Sequence, residues 1–318
     1  MEVEELSLRP TQDIKGLVEG FCEDSMLRGM TKETVRRYRS SILTFSEFLT
    51  KKGAGLGEVD ARLLRDFLYH VKYEKGVKHK TVENYFSALS ALYGYLSFEG
   101  LVASDPVLPF RKRYLRQYKD GYDEPERRLL SVEEMSRLVN SILDPRDKAM
   151  ALLLAKTGIR RGELLKLDVG DVNWRDGSVT LKPTHKRSNR VVFFDDECAV
   201  VLRRWLRVRE KLRPTTKAIF LSYQSLSRLD RNGLYTAVVK YATRLGYHKP
   251  ESSRLEEHFG PHCFRHWFTT WLLRNSMPRE YVKELRGDRR GEAIDIYHHI
   301  DREELRKTYL ACIPRLGI

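Results

Sequence analysis

Between residues 11 and 110 apolar side chains recur every three or four positions, the period of helices that bury one face. Val35, Tyr38, Ile42, Phe45 and Phe48 make one stripe, opened by Thr31, a residue type that caps helix N-termini. Arg36, Arg37 and Arg39 fall around the other side of that helix. Val82, Tyr85, Leu89, Leu92 and Leu96 make another stripe, opened by Lys78-His79-Lys80 and Thr81. Ala61–Tyr73 reads as a helix between them, with turns at Gly53–Gly57 and at Gly76. The two prolines of Asp105–Pro109 close this bundle, and residues 111–128 keep no apolar period and read as a linker.

A second pattern starts at Leu129-Leu130. Ser131 with Glu134 is a capping box that starts a helix reaching about Ile142, and Asp144-Pro145 starts one that is apolar on most sides through Ala155-Lys156. After a turn and a short helix in TGIRRGELLKLDVGDV, the segments Val172–Trp174, Val179–Lys182 and Arg190–Phe194 alternate as short strands do, with a turn at Asp176-Gly177 and a polar loop at 184–189. Helical periods return at Glu197–Leu212, Asn232–Leu245, His262–Asn275, Arg279–Leu285 and Gly291–Tyr297, and a last helix lies in DREELRKTYLACIPRLGI. The expected fold is mainly α: a helical N-terminal domain (11–110), a linker (111–128) and an α+β C-terminal domain (129–318) with a small β-sheet.

Charge narrows the function. With 58 Lys and Arg against 44 Asp and Glu, the net charge of +14 points to a polyanionic partner, most simply nucleic acid. At 41% hydrophobic and 10% aromatic residues, the chain has the material for packed cores and is no disordered basic tail. Cys22, Cys198, Cys263 and Cys312 form no C-x-x-C pair, so a disulfide framework is not expected and an intracellular setting fits better. The first ten residues lack the basic start and apolar core of a signal peptide, and no apolar run is long enough to span a bilayer. The expectation is a soluble cytoplasmic protein associated with DNA. Arg36, Arg37, Arg39, Lys78, Lys80, Arg111 and Arg113 are the candidate phosphate contacts, set against the plainer reading of solvated helix faces.

The chemistry concentrates in PHCFRHWFTTWLLRNSMPREYVKELRGDRRGEAIDIYHH, residues 261–299. His262 and Arg265, three apart, are neighbours on a helix face, and some thirty residues later Tyr297 is the lone tyrosine of the helix-like segment Ala293–His299. His258, His262, Cys263 and His266 also lie close enough in sequence to raise a zinc site, but helical spacing gathers such residues anyway and no second Cys/His pair is near. Any one of 16 tyrosines is a weak nucleophile candidate taken alone.

Taken together, the segments resemble the tyrosine recombinases, the phage-type integrases and Xer-type resolvases, with an impression of archaeal rather than bacterial members. In TGIRRGELLKLDVGDV, Arg160 stands for the first catalytic arginine and Glu163 for the acidic residue beside it. THKRSNRVVFF matches the β-hairpin lysine at Lys186, and His262-Cys263-Phe264-Arg265 is the H-x-x-R box. Another 23 residues lead to Asp288 and nine more to Tyr297, the nucleophile position. The resemblance covers the whole C-terminal domain, and fits the N-terminal helices as a core-binding domain more loosely.

That resemblance implies a site-specific DNA recombinase working through a 3′-phosphotyrosyl link, without metal, ATP or other cofactor. Arg160 and Arg265 would clamp the non-bridging phosphate oxygens, His262 would assist proton movement at Tyr297, Lys186 would protonate the leaving 5′-hydroxyl, and Glu163 would orient the arginines. Two domains would enclose duplex DNA in a C-shaped clamp, four subunits would assemble on two sites, and the tail after Tyr297 would dock on a neighbour. Helical core-binding patterns begin almost at once, so a separate arm-binding domain is not expected. Lys182 and Arg187 stand as alternatives to Lys186, and Tyr281 and Tyr309 as rivals to Tyr297 that fit packing roles better. Asp288 departs from the family, which usually has His or Trp there. A carboxylate repels phosphate unless it is protonated, turned away, or paired with Arg286, Arg289 or Arg290. It therefore also admits an alternative function, a recombinase relative that binds DNA without cutting it. A metal-dependent nuclease is the third reading.

Overall fold

The structure, a computed structural model, describes residues 14–115, 128–183, 190–252, 254–288 and 300–318. Contacts divide the chain into two compact units, 1–122 and 123–318. In the first, α1 (Ile14–Leu27), α2 (Lys32–Lys52), α3 (Ala61–Tyr69), α4 (His79–Phe98) and α5 (Val107–Tyr114) surround one apolar core. Thr31 caps α2 by accepting a hydrogen bond from the Thr34 amide at 3.2 Å. The predicted stripes point inward: Ile42, Phe45, Phe67, Phe86 and Leu89 are fully buried, and the Phe45 and Phe67 rings meet edge to face at 4.8 Å. Helix α3 runs on as a π-helical turn, His70–Glu74.

The expected linker begins too early. Residues 107–114 form α5, with Val107 and Phe110 buried and the Phe110 ring stacked on Phe86 at 5.4 Å. Pro109 lies in the first turn of α5, where a missing N–H costs nothing. Asp105 caps that turn, its Oδ1 accepting from the Val107 and Leu108 amides. The rest of the expected linker, 116–127, lies outside the described residues.

The second unit contains α6 (Val132–Asn140), α7 (Pro145–Thr157), α8 (Arg161–Lys166), β1 (Val172–Asn173), β2 (Ser178–Leu181), β3 (Arg190–Phe193), α9 (Asp196–Lys211), α10 (Arg231–Arg244), α11 (Pro261–Arg274), α12 (Arg279–Arg286) and α13 (Arg302–Cys312). The strands form one antiparallel sheet in the order β1-β2-β3, with Val179 opposite both Val172 and Val192. The Ser131–Glu134 capping box is present: Ser131 Oγ accepts from the Glu134 amide at 3.1 Å, and Glu134 Oε2 accepts from the Ser131 amide at 2.9 Å. Helix α7 is the central rod, buried from Ala149 to Thr157 and packed against α9 and α11.

The described tail residues pack against their own chain. Ile313 and Leu316 are buried, and the Pro314 carbonyl accepts from Lys156 Nζ at 2.7 Å. Lys156 is fully buried, and its ammonium also lies 2.6 Å from both Asp195 and Glu197. Glu197 accepts in turn from the Leu316 and Gly317 amides at 2.9 and 2.7 Å. A buried charge is stable only with such partners, so the lysine, the two carboxylates and the tail backbone hold one another. No helix among the described residues is long and apolar enough to cross a membrane.

Candidate active site

The site begins at the end of α7. Gly158 stops that helix in the left-handed conformation (φ +58°), and a Cβ there would come 2.3 Å from the Phe268 ring of α11. Only glycine permits this turn at this approach. The next residues lead to Arg160, at the N-cap of α8. A cation at the positive end of a helix is unfavourable, and Glu163, in the first turn, offsets it. Its Oε2 accepts from the Arg160 amide at 2.7 Å, and its Oε1 lies 3.3 Å from Arg160 Nη1.

Glu163 is held more firmly from the sheet. Arg190, the first residue of β3, forks onto it with both Nη atoms at 2.8 Å. Burial pushes the Glu163 carboxyl up, but the Arg190 hydrogen bonds and charge, with those of Arg160, hold it below the ordinary carboxylate range. Arg190 Nε also donates to the Leu285 carbonyl at 3.2 Å, tying the sheet to the end of α12.

Arg265, on α11, is buried with 4% of its surface exposed. It donates from Nη1 to the Gly158 carbonyl at 2.8 Å and from Nη2 to the Arg286 carbonyl at 2.9 Å. The latter carbonyl also accepts from Arg160 Nη1 at 3.4 Å. The negative end of α12 is thus aimed at both arginines, as a helix C-terminus favours. Burial, then repulsion from Arg160 and Arg286, pulls the Arg265 guanidinium down to about 9, which leaves it charged at neutral pH.

Asp288 lies across this cluster. Its Oδ1 is 3.3 Å from Arg265 Nη2 and 3.7 Å from Arg160 Nη2, and its Oδ2 is 3.0 Å from Arg286 Nε. The carboxylate that has no place in the family pattern is therefore neutralised by arginines, and two of them are the expected phosphate clamp.

The structure thus brings together Arg160, Glu163, Arg265 and Asp288, and adds Arg190 and Arg286. His262 lies in the first turn of α11 on its exposed side, its ring edge-on to His266 at 4.8 Å. Lys186 and Tyr297, with the helix expected at 291–297, lie outside the described residues. Of the alternatives to Lys186, Lys182 pairs with Asp168 and Asp171, whereas Arg187 lies outside the described residues. Tyr309 is fully buried, donates to the Lys156 carbonyl at 2.7 Å and has its phenol pushed far up by burial, so it is no nucleophile. Burial and a hydrogen bond with Glu304 raise Tyr281 as well. Among the described residues no group of three or more His, Cys, Asp or Glu side chains is placed to hold a metal ion, and His258 Nε2 lies 2.6 Å from the Ser252 carbonyl.

In the first unit Arg36, Arg37, Arg39, Lys78, Lys80 and Arg113 are exposed, whereas Arg111 is half-buried and donates to Ser87 Oγ at 3.1 Å. Arg36 pairs with Glu33 at 3.4 Å and Lys80 with Glu83 at 2.7 Å, surface pairs that a phosphate can displace at small cost. Arg190 was missed as a site residue. Its one signal is a charged residue at an inward position of a strand, an arrangement that demands a buried acid.

Arginines gathered on one partly open site have the charge and the donor geometry that phosphate oxygens require. Comparison with known proteins agrees. The model of the phage integrase family matches residues 128–304, and that of the phage integrase N-terminal SAM-like domain matches residues 18–100. The chain belongs to the phage integrase family and is an enzyme of the tyrosine recombinase type. It is 28% identical over 293 residues to tyrosine recombinase XerC of Oceanobacillus iheyensis, covering 89% of this chain and 90% of that one. It is 26% identical over 293 residues to tyrosine recombinase XerD of Staphylococcus epidermidis, covering 91% and 95%. Among solved structures, the fold is similar to the Tn1549 transposon integrase in complex with circular intermediate DNA (TM-score 0.67, 15% identity, 92% and 97% covered). It is also similar to XerH recombinase bound to its difH substrate (TM-score 0.64, 21% identity, 91% and 82% covered).

Proposed function

We propose that the protein is a site-specific DNA recombinase whose 129–318 domain cuts and rejoins strands at Tyr297 while its 11–110 helices grip the duplex. The observation that carries this reading is the convergence of Arg160 and Arg265, from distant parts of the chain, on one carboxylate oxygen at 3.7 and 3.3 Å. Groups that converge on one oxygen can converge on a phosphate. With the phosphate in place, the guanidiniums offset charge gathering on the pentacoordinate phosphorus. The Tyr297 oxygen attacks phosphorus, the bond to the 5′-oxygen breaks, and Lys186 delivers a proton to that oxygen. An unperturbed phenol ionises near a pKa of about 10, so His262 takes up its proton as the bond forms. The 3′-phosphotyrosine keeps the energy of the broken ester, so a second strand's 5′-hydroxyl can reverse the step without ATP. Exchange between duplexes requires four such sites, and we assign a tetramer on two DNA sites, assembled from monomers or dimers. We assign it to the cytoplasm, associated with the nucleoid, because its substrate is DNA.

The test is a suicide substrate nicked beside the cleavage position. Denaturing gels are expected to show a covalent protein–DNA adduct that Tyr297→Phe abolishes. Binding without any adduct on a cognate site would establish the inactive, DNA-gripping alternative, and EDTA-sensitive cutting without an adduct would establish a nuclease.

A further inference from the structure

The Asp288 carboxylate is positioned to do more than balance charge. Arg160 uses Nη1 on Glu163 and on the Arg286 carbonyl, and Arg265 uses Nη1 on the Gly158 carbonyl and one of its two Nη2 hydrogens on the Arg286 carbonyl. The atoms these arginines present together are their Nη2 groups, and Asp288 Oδ1 lies between them at 3.7 and 3.3 Å. A phosphate oxygen held by both arginines needs the same place. We propose that Asp288 is the resident anion of the arginine clamp, a competitor that an incoming phosphate must displace and that makes the clamp select phosphates of bound duplex over free oxyanions. This rests on the recombinase reading of the site.

The local structure suits displacement. Asp288 follows the end of α12, where Gly287 takes the left-handed conformation (φ +59°) and a Cβ would come 2.5 Å from Arg190 Nη1. The backbone there is held by the hydrogen bond from the Asp288 amide to the Lys283 carbonyl at 3.1 Å. The side chain itself is 30% exposed. Its other oxygen is already on Arg286 Nε at 3.0 Å. When phosphate takes the Nη2 groups, the carboxylate can therefore swing off the clamp and stay paired. A free oxyanion has only the clamp with which to drive this exchange, whereas a phosphate within a duplex is backed by every other contact along the DNA. The same carboxylate keeps Arg160, Arg265 and Arg286 from repelling one another before DNA arrives.

The experiment is titration of full-length protein with inorganic phosphate, followed by calorimetry, for wild type, Asp288→Asn, Asp288→Ser and Asp288→Glu, with melting curves for each. Removing one charge about 6 Å from the bound anion, at an effective dielectric of about 40, tightens binding roughly tenfold. Asp288→Asn and Asp288→Ser are expected to show that gain, Asp288→Glu none, and adding Arg160→Ala to Asp288→Asn is expected to erase it. Folded neutral variants that bind phosphate no better than wild type overturn the proposal. So does failure of both neutral variants to fold, which would make the carboxylate a structural tie. Adduct formation by wild type is scored separately. A normal adduct without the phosphate gain removes only the role of Asp288, and a phosphate gain without any adduct removes only the recombinase reading.

Discussion

Replacing Arg190 by Gln keeps length and polarity but removes the fork that holds Glu163. Both partners are nearly buried, with side-chain exposures of 9% and 11%. Breaking such a pair from one side costs about 3–5 kcal/mol, because the remaining charge is left without compensation. Glu163 still has the Arg160 amide at 2.7 Å and its guanidinium at 3.3 Å, so the lower end, about 3 kcal/mol, applies. For a domain of this size each kcal/mol is worth about 2–4 °C, so the melting temperature should fall by roughly 6–12 °C. The pH dependence carries the sharper test. The folded Glu163 carboxyl is depressed below its ordinary value. Its stabilisation is therefore fully present above the unfolded pKa of about 4.3 and is lost as pH falls through the lower folded value. The difference between wild type and Arg190→Gln should be widest at pH 7 and shrink as pH falls from about 4.3 through the lower folded value, below which Glu163 is protonated in both. Urea unfolding at a series of pH values measures it. A difference below about 1 kcal/mol at pH 7, or one that stays constant into acid, would refute the argument that Arg190 acts through the Glu163 charge.

Arg160→Ala and Arg265→Ala are expected to bind duplex DNA within a few-fold of wild type yet lose covalent adduct formation; retained cleavage at saturating DNA with binding alone weakened would show that neither clamps the phosphate. Lys156→Met leaves Asp195 and Glu197 buried without their cation, at a cost of about 3–5 kcal/mol, and should free the tail. Limited proteolysis would then cut within residues 313–318 of the variant before the rest of the domain, and equal resistance of the two proteins would count against the lysine as the tail's anchor.

Much of the fold was legible because its signals are local. Thr31, Ser131 with Glu134, and Asp144 before Pro145 each mark a helix start by a hydrogen bond reaching only three residues along the chain. The alternation in 172–194 gave the strands for the same reason. Helix α5 was hidden because Pro109 reads as a breaker until its place in the first turn is known, and a pair of inward residues, Val107 and Phe110, is too short a period to detect. For the site, the family boxes named Arg160, Glu163 and Arg265, and the structure joins them. Lys186 and Tyr297 fall outside the described residues, and for them the family pattern remains the argument.

What sequence could not disclose is which charges are buried together. Arg190 and Lys156 look like any of the 58 basic residues of this chain until a partner from far along it arrives: Glu163 is 27 positions from Arg190, and Asp195 is 39 from Lys156. Each is nonetheless a place where one helix or strand is tied to another by charge rather than by apolar packing. The two ties also divide the labour in the catalytic unit. Lys156 secures the tail, and Arg190 fixes Glu163, which in turn holds Arg160. Arg160 can then remain partly open to solvent, with side-chain exposure at 40%, because Glu163 sets its alignment, whereas Arg265 is held by its own burial.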